Sequence, residues 1–198
     1  VVLTDALVSG VHFPAHATGD VVARRALGSA LSDLAAMGAT PTGCLLTWGI
    51  GPDWDDSFFA EFAEAFGATL DTYNVDLWGG DTVRATTPFI SVCVHGIGRK
   101  PDLLSRSGAR AGEAVYVSGT IGDGFLGLQA FDTMTDADAV SAYAAPIPQL
   151  ALGKALAGVA TACIDVSDGL AADLDHICRA SRIAMEIEAA AVPLSTAG

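Results

Sequence analysis

Ile164-Asp165-Val166-Ser167-Asp168-Gly169-Leu170 joins an apolar run to an apolar-periodic one, with three oxygen-bearing side chains at the join. Cys163–Val166 reads as a strand. From Leu170 onward, Leu170, Leu174, Ile177 and Cys178 recur at helical spacing. The stretch is therefore a strand-to-helix junction, the unit from which layered α/β and α+β folds are built. Ser167 or Asp168 fits the N-cap position, and an acid there is favoured by the helix dipole. Capping leaves Asp165, at the end of an apolar strand, without a local partner. A metal ion carrying an anion would supply one. Similar acidic junctions occur at Asp5, Asp33 and Asp81, so the function depends on whether these acids converge.

Composition narrows the choices. With 51% apolar and 17% charged residues the 198-residue chain can bury a sizeable core. A net charge of −13 argues against nucleic-acid binding, which needs cations to neutralise phosphates. It leaves anionic ligands open, because carboxylates can hold Mg²⁺ and the ion can hold phosphates. Ten basic residues are too few for a polybasic membrane patch, and no apolar run reaches the length of a membrane span. Cys44, Cys93, Cys163 and Cys178 lack metal-ligand spacing and read as free thiols, which places the protein in the cytoplasm. The chain opens inside the apolar run Val1-Val2-Leu3 and stops at Ser195-Thr196-Ala197-Gly198, as a piece truncated at both ends would.

Outward from the junction, the first half alternates strands and helices. Val1–Thr4 is predicted as a strand delivering Asp5 at its end, and Leu7–Phe13 as its extended continuation. Asp20 can cap a helix from Val21 to Met37 that Gly38 stops, with Ala23, Leu27, Leu31 and Leu34 as its core stripe. Asp33 shares the next face with Ala26, Ala30 and Met37. Gly43–Trp48 is a second strand. Ser57–Tyr73 is a second helix, with Phe59, Phe62, Phe66, Leu70 and Tyr73 as a packing stripe. Val75–Trp78 reads as a short strand ending in the turn Gly79-Gly80-Asp81-Thr82, where glycines would let the backbone approach a ligand. In Phe89–Gly98, Ile90, Val92 and Val94 alternate with Ser91, Cys93 and His95 as a strand does.

The second half begins where four basic residues cluster between Arg99 and Arg110; Arg106 there can fork around a phosphate. Glu113–Ser118 is predicted as a strand and Gly119–Gly124 as a glycine-bearing turn into a helix from Phe125. Asp132–Asp138 reads as a loop, Leu150–Gly158 as a helix and Ala184–Glu188 as a last strand. The domain boundary falls between residues 1–106 and 107–198. The chain carries no phosphate-binding GxxxxGK[ST] loop, GxGxxG, nucleophile elbow, HExxH or Cys/His zinc set.

Read together, these pieces resemble the thiamine-monophosphate kinases of the aminoimidazole ribonucleotide synthetase-like superfamily. The resemblance rests on Thr4–Phe13 (TDALVSGVHF), Leu31–Ala39 (LSDLAAMGA), Gly79–Thr82 (GGDT), Arg106–Ala109 (RSGA), Val117–Asp123 (VSGTIGD) and Ile164–Leu170 (IDVSDGL). They stand in the family's order at about its spacing. The family's opening Gly-Asp-Asp segment and its Gly-Gly-Glu-Asp-Tyr-like motif have no counterpart here. Leu3 replaces a common serine, Ala30 a usual asparagine, and Tyr143-Ala144-Ala145-Pro146 lacks the arginines often found there.

The resemblance implies a two-domain α/β (α+β) fold whose N-terminal ATP- and Mg-binding domain dimerises through a shared β-barrel, with a C-terminal α/β domain packed on it. It implies a homodimer, ATP as co-substrate, several Mg²⁺ ions and thiamine monophosphate as acceptor. By position, Thr4, Asp5, Asp33, Asp81, Asp165 and Asp168 would be metal ligands. Gly80, Asp81, Arg106 and Ser167 would contact ATP, and His12 the thiamine phosphate. No residue is assigned as a catalytic base, since the attacking phosphate oxygen is already anionic and phosphoryl transfer rests on positioning and charge neutralisation. Two other readings stand beside it: an ATP-dependent synthetase of the aminoimidazole ribonucleotide type, and a non-catalytic nucleotide-binding module with scattered surface acids.

Overall fold

The computed structural model describes residues 1–195. Its elements run β1 (Val2–Val8), α1 (Gly19–Ala36), β2 (Thr40–Ile50), α2 (Asp56–Tyr73), β3 (Asp76–Arg84), β4 (Phe89–Ile97), α3 (Asp123–Ala130), α4 (Ala137–Ala144), α5 (Leu150–Ala155) and α6 (Leu170–Ser181), then a 3₁₀ turn at Ala189–Ala191. The strands form one open sheet in the order β1-β4-β2-β3. β4 is antiparallel to both β1 and β2, while β2 and β3 run parallel. A parallel neighbour pair needs a crossover, and α2 provides it.

Helix α1 packs across the sheet because its apolar stripe matches the inner face of β4. Leu27, Leu31 and Leu34 are fully buried, as are Ile90, Val92 and Val94. Each such side chain contributes about 1.5–3 kcal/mol on burial. Gly38, at φ 67°, ends the helix in a left-handed turn in which Ala39 N–H reaches back to Leu34 O and Gly38 N–H to Ala35 O. At its start Thr18 lies in the N-cap position, but its hydroxyl donates to Asp20 Oδ1 at 2.6 Å instead of capping the backbone. Asp55 caps α2, accepting from Phe58 N–H at 2.9 Å. Trp48, Trp54, Phe58, Phe62 and Phe66 then form a continuous aromatic stack between α2 and β2.

Several expectations are corrected. Asp5 lies within β1, not at its end, because β1 stays paired with β4 through Val8. The Gly79-Gly80 pair lies inside β3. A Cβ on Gly80 would come within 1.6 Å of the Leu46 carbonyl oxygen, so the close approach it permits is to β2. The strands expected at 113–118, 163–166 and 184–188 do not form among the described residues, so the second half is helices α3–α6 joined by extended segments. A strand needs a hydrogen-bonded neighbour; Cys163 N–H has a single contact, to Ser105 O, and Tyr116 and Val166 remain exposed. No helix among the described residues is long and apolar enough to cross a membrane.

Candidate metal and phosphate site

The two halves of the chain meet at carboxylates. In β1, Leu3, Asp5 and Leu7 lie opposite Val94, Val92 and Ile90, so Asp5 faces the helical layer. Asp33, near the C-terminal end of α1, lies within reach of its charge. From the second half, the extended segment before α6 brings Asp165 within hydrogen-bonding reach of Asp33, beside the Ser32 hydroxyl. Burial first, then the charges of Asp165 and Asp5, together raise the Asp33 carboxyl to about 6 against the opposing charge of Arg106. Asp165 is also raised, first by burial, while hydrogen bonds, that of Ser32 among them, and the charge of Arg106 pull it back.

Carboxylates held this close while half-buried repel one another, and a divalent cation would relieve the repulsion. Their hard oxygens and their number suit Mg²⁺. Asp33 and Asp165 can therefore flank a metal ion, while Asp5 acts on Asp33 through its charge and does not converge with the pair as Asp168, Asp173 and His176 do with one another. Arg106 is exposed, acts on both Asp33 and Asp165, and forms no ion pair among the described residues. Its turn is fixed to α6: Ser181 Oγ donates to Arg106 O and accepts from the N–H groups of Gly108 and Ala109.

Of the other expected residues, Thr4, Gly80 and Asp81 are not brought to this cluster. The Thr4 hydroxyl is on the opposite sheet face from Asp5, 3.4 Å from Ser91 Oγ. Gly80 and Asp81 lie on β3, three strand positions from Asp5 in the sheet order, or about 14 Å at ordinary strand spacing. Asp81 pairs with Thr47, whose partner Ser91 is on the Thr4 face, so Asp81 is brought to a different side from Asp5. His12 is exposed, and its Nδ1 accepts from Val8 N–H at 3.0 Å. In a neutral ring that bond would put the proton on Nε2.

Ser167 and Asp168 lie in the turn before α6, but neither caps it. The cap is Gly169, at φ 119° and ψ 150°, with no side-chain hydrogen bond. Instead Asp173, one turn into the helix, accepts from the N–H groups of Ser167, Asp168 and Gly169. Sequence reasoning missed this residue. Its signal was an acid four residues after a glycine at a helix start. It also missed His176, which stands with Asp168 and Asp173 so that one ligand atom of each lies within 4.8 Å of the others.

Arg25 was missed as well. This half-buried cation of α1 donates from Nε to His12 O at 3.3 Å and from Nη1 to Tyr143 O at 2.5 Å, with its guanidinium 4.0 Å from the centre of the Tyr143 ring. Tyr143 Oη also donates to His12 O, at 3.3 Å. The turn carrying His12 is thus held by groups from α1 and α4.

Comparison with known proteins shows what the chain is similar to. Residues 1–98 match the model of the AIR synthase related protein N-terminal domain. The chain is 40% identical over 199 residues to the thiamine-monophosphate kinase of Caulobacter vibrioides, covering 98% of this chain and 56% of that protein. The crystal structure of thiamine-monophosphate kinase from Stenotrophomonas maltophilia superposes with a TM-score of 0.90 at 35% identity, over 100% of this chain and 65% of that one. AaThiL complexed with AMPPCP and TMP superposes with a TM-score of 0.92 at 28% identity, over 98% of this chain and 64% of that one. The chain thus spans less than two thirds of the length of these relatives.

Proposed function

Because residues 1–98 belong to the AIR synthase related family and the whole chain aligns with thiamine-monophosphate kinases, we propose that it works as a thiamine-phosphate kinase, moving the γ-phosphoryl group of ATP onto the phosphate of thiamine monophosphate. The observation that carries this reading is the meeting of Asp33 and Asp165 from opposite halves of the chain. Scattered surface acids, as a non-catalytic module would have, would not raise one another. A synthetase of the same superfamily is less well supported, since the curated relatives at 34–40% identity are thiamine-monophosphate kinases and a solved one holds an ATP analogue with TMP.

In this reading Asp5, Asp33 and Asp165, with Thr4, Asp81 and Asp168, hold Mg²⁺ ions. When bound, these ions would neutralise the phosphate charges and orient the phosphoryl group. Asp81 and Thr4, on the other sheet face from Asp5, would need a separate ion. Gly80, Asp81, Arg106 and Ser167 contact ATP, Arg106 through a fork of donors that no carboxylate among the described residues occupies. His12 donates from Nε2 to the thiamine phosphate. The acceptor oxygen attacks in line and needs no base, which agrees with a site made of acids and cations.

The division into domains 1–106 and 107–198 belongs to the same proposal, as does a cytoplasmic homodimer with a shared barrel. It is supported by the outer sheet edge, where every residue of β3 is exposed and Trp78 lies over Gly43. The experiment is a binding and turnover panel. Expected are Mg²⁺-dependent binding of AMPPCP and formation of thiamine diphosphate from thiamine monophosphate. Turnover of formylglycinamidine ribonucleotide instead would move the assignment to the synthetase, and binding without either turnover to the module.

A further inference from the structure

Asp173 is the only charged side chain buried among the described residues, at 2% exposure. Its Oδ2 accepts three successive backbone N–H groups, from Ser167 at 2.9 Å, Asp168 at 3.1 Å and Gly169 at 3.2 Å. Consecutive N–H groups converging on one point form a nest for an anion. Here the chain fills the nest with its own carboxylate. The turn can take this shape because Gly169, at φ 119°, adopts backbone angles that a residue with a Cβ rarely does. With its N–H groups turned inward, the turn leaves Ser167 and Asp168 exposed on its outer side. Asp165, two residues before it, faces Asp33.

We propose that Asp173 is a positioning residue: its carboxylate pins the Ser167–Gly169 turn so that Asp165 and Asp168 meet the metal ion and Ser167 meets the nucleotide. The inference rests on the kinase reading of those three side chains. It separates Asp173 from Asp168 and His176, its neighbours in the acidic group, because Oδ2 is already engaged by three donors. A buried carboxylate so engaged is an internal strut, and losing it would free the turn without removing a ligand.

The test compares Asp173→Ala with Asp173→Asn, which keeps an acceptor oxygen, in the full chain. Amide hydrogen exchange is followed by NMR, and Mg²⁺ with AMPPCP is titrated by calorimetry. In Asp173→Ala the Ser167, Asp168 and Gly169 amides should exchange at least about tenfold faster, with the Val92 and Val94 amides unchanged, and Mg²⁺-dependent AMPPCP binding should weaken by about tenfold or more. Asp173→Asn should recover part of both. The inference is overturned if the three amides are unaffected by Asp173→Ala, or if they loosen while binding stays at the wild-type level. It is also overturned if Asp173→Asn keeps the amides protected yet loses Mg²⁺, since Asp173 would then be a ligand. Should Asp173→Ala not fold, the Asn variant carries the comparison, with intermediate loosening and weakening expected together. A wild-type chain that binds no Mg²⁺ and AMPPCP overturns the kinase reading and this inference with it, a signature distinct from failure in the variants alone.

Discussion

The Asp33 carboxyl on α1 faces the Asp165 carboxyl of the segment leading into α6, close enough for the two to share a proton. They are 132 residues apart in sequence, so the fold alone brings them together. Without a cation the arrangement costs stability, because burial and mutual repulsion both oppose ionisation. A site that is unfavourable empty and favourable loaded is a common feature of metal-binding clusters.

It follows that Asp33→Asn should stabilise the ligand-free chain and abolish its response to Mg²⁺. At a half-buried pair, solvent screening limits the gain to about 1 kcal/mol, or roughly 2–4 °C in Tm at this chain length. Calorimetry at neutral pH, with and without Mg²⁺, checks it. A variant less stable than the parent would show that the pair is not repulsive.

The same pair sets a pH dependence. The Asp33 carboxyl titrates near 6 in the folded chain against an ordinary 3.8. Between those values the folded state holds more protons than the unfolded one, so stability falls as pH rises through the window and is level above it. Mg²⁺ competes with that proton, so its affinity should rise with pH across 6 and then plateau. Tm and Mg²⁺ affinity measured from pH 4.5 to 8 should therefore move in opposite directions, and Asp33→Asn should flatten the Tm curve in that window.

How much of this was legible beforehand follows from range. The alternation of Ile90, Val92 and Val94 and the stripe Leu27, Leu31, Leu34 report a periodicity that burial then honours. The Phe62, Phe66 and Leu70 stripe did the same. Asp165 could be singled out because an acid at the end of an apolar run lacks a local explanation. Asp173 could not, since its role appears only when the preceding turn folds back over it. The Gly79-Gly80 pair reads as a turn in the sequence and lies inside β3, because a glycine needed for close approach does not say to what; for Gly80 the near neighbour is Leu46. Glu113–Ser118 and Ala184–Glu188 have the composition of strands but lack the neighbour that would make them so.

The His12 turn offers a test of the proposed substrate contact. Tyr143→Phe removes one hydrogen bond to His12 O but keeps the ring under Arg25, and should cost about 0.5–1.5 kcal/mol. Arg25→Met also removes the two carbonyl contacts and the cation–π pair, and should cost roughly 2 kcal/mol. Both should weaken thiamine monophosphate binding more than AMPPCP binding, since Arg25 and Tyr143 hold the His12 carbonyl. Equal losses for the two ligands would mean that the clamp serves folding only.

The junction between α1 and α5 allows a prediction whose sign changes from one glycine to another. Gly153 of α5 rests on the last turns of α1, where an added Cβ would come within 1.9 Å of Ala35 O. Backbone cannot swing aside as a side-chain tip can, so Gly153→Ala must displace α5, at a cost of about 1–3 kcal/mol. Gly67, inside α2, has nothing within 4 Å of the same added atom. There alanine relieves only the entropic penalty of a helical glycine, and Gly67→Ala should stabilise by roughly 0.5–1 kcal/mol. Urea melts of the two variants should shift the midpoint in opposite directions at unchanged slope. A rise for Gly153→Ala would show that α5 does not pack on α1 as closely as the structure has it, and with it would go the link between the Asp33 helix and the second half of the chain.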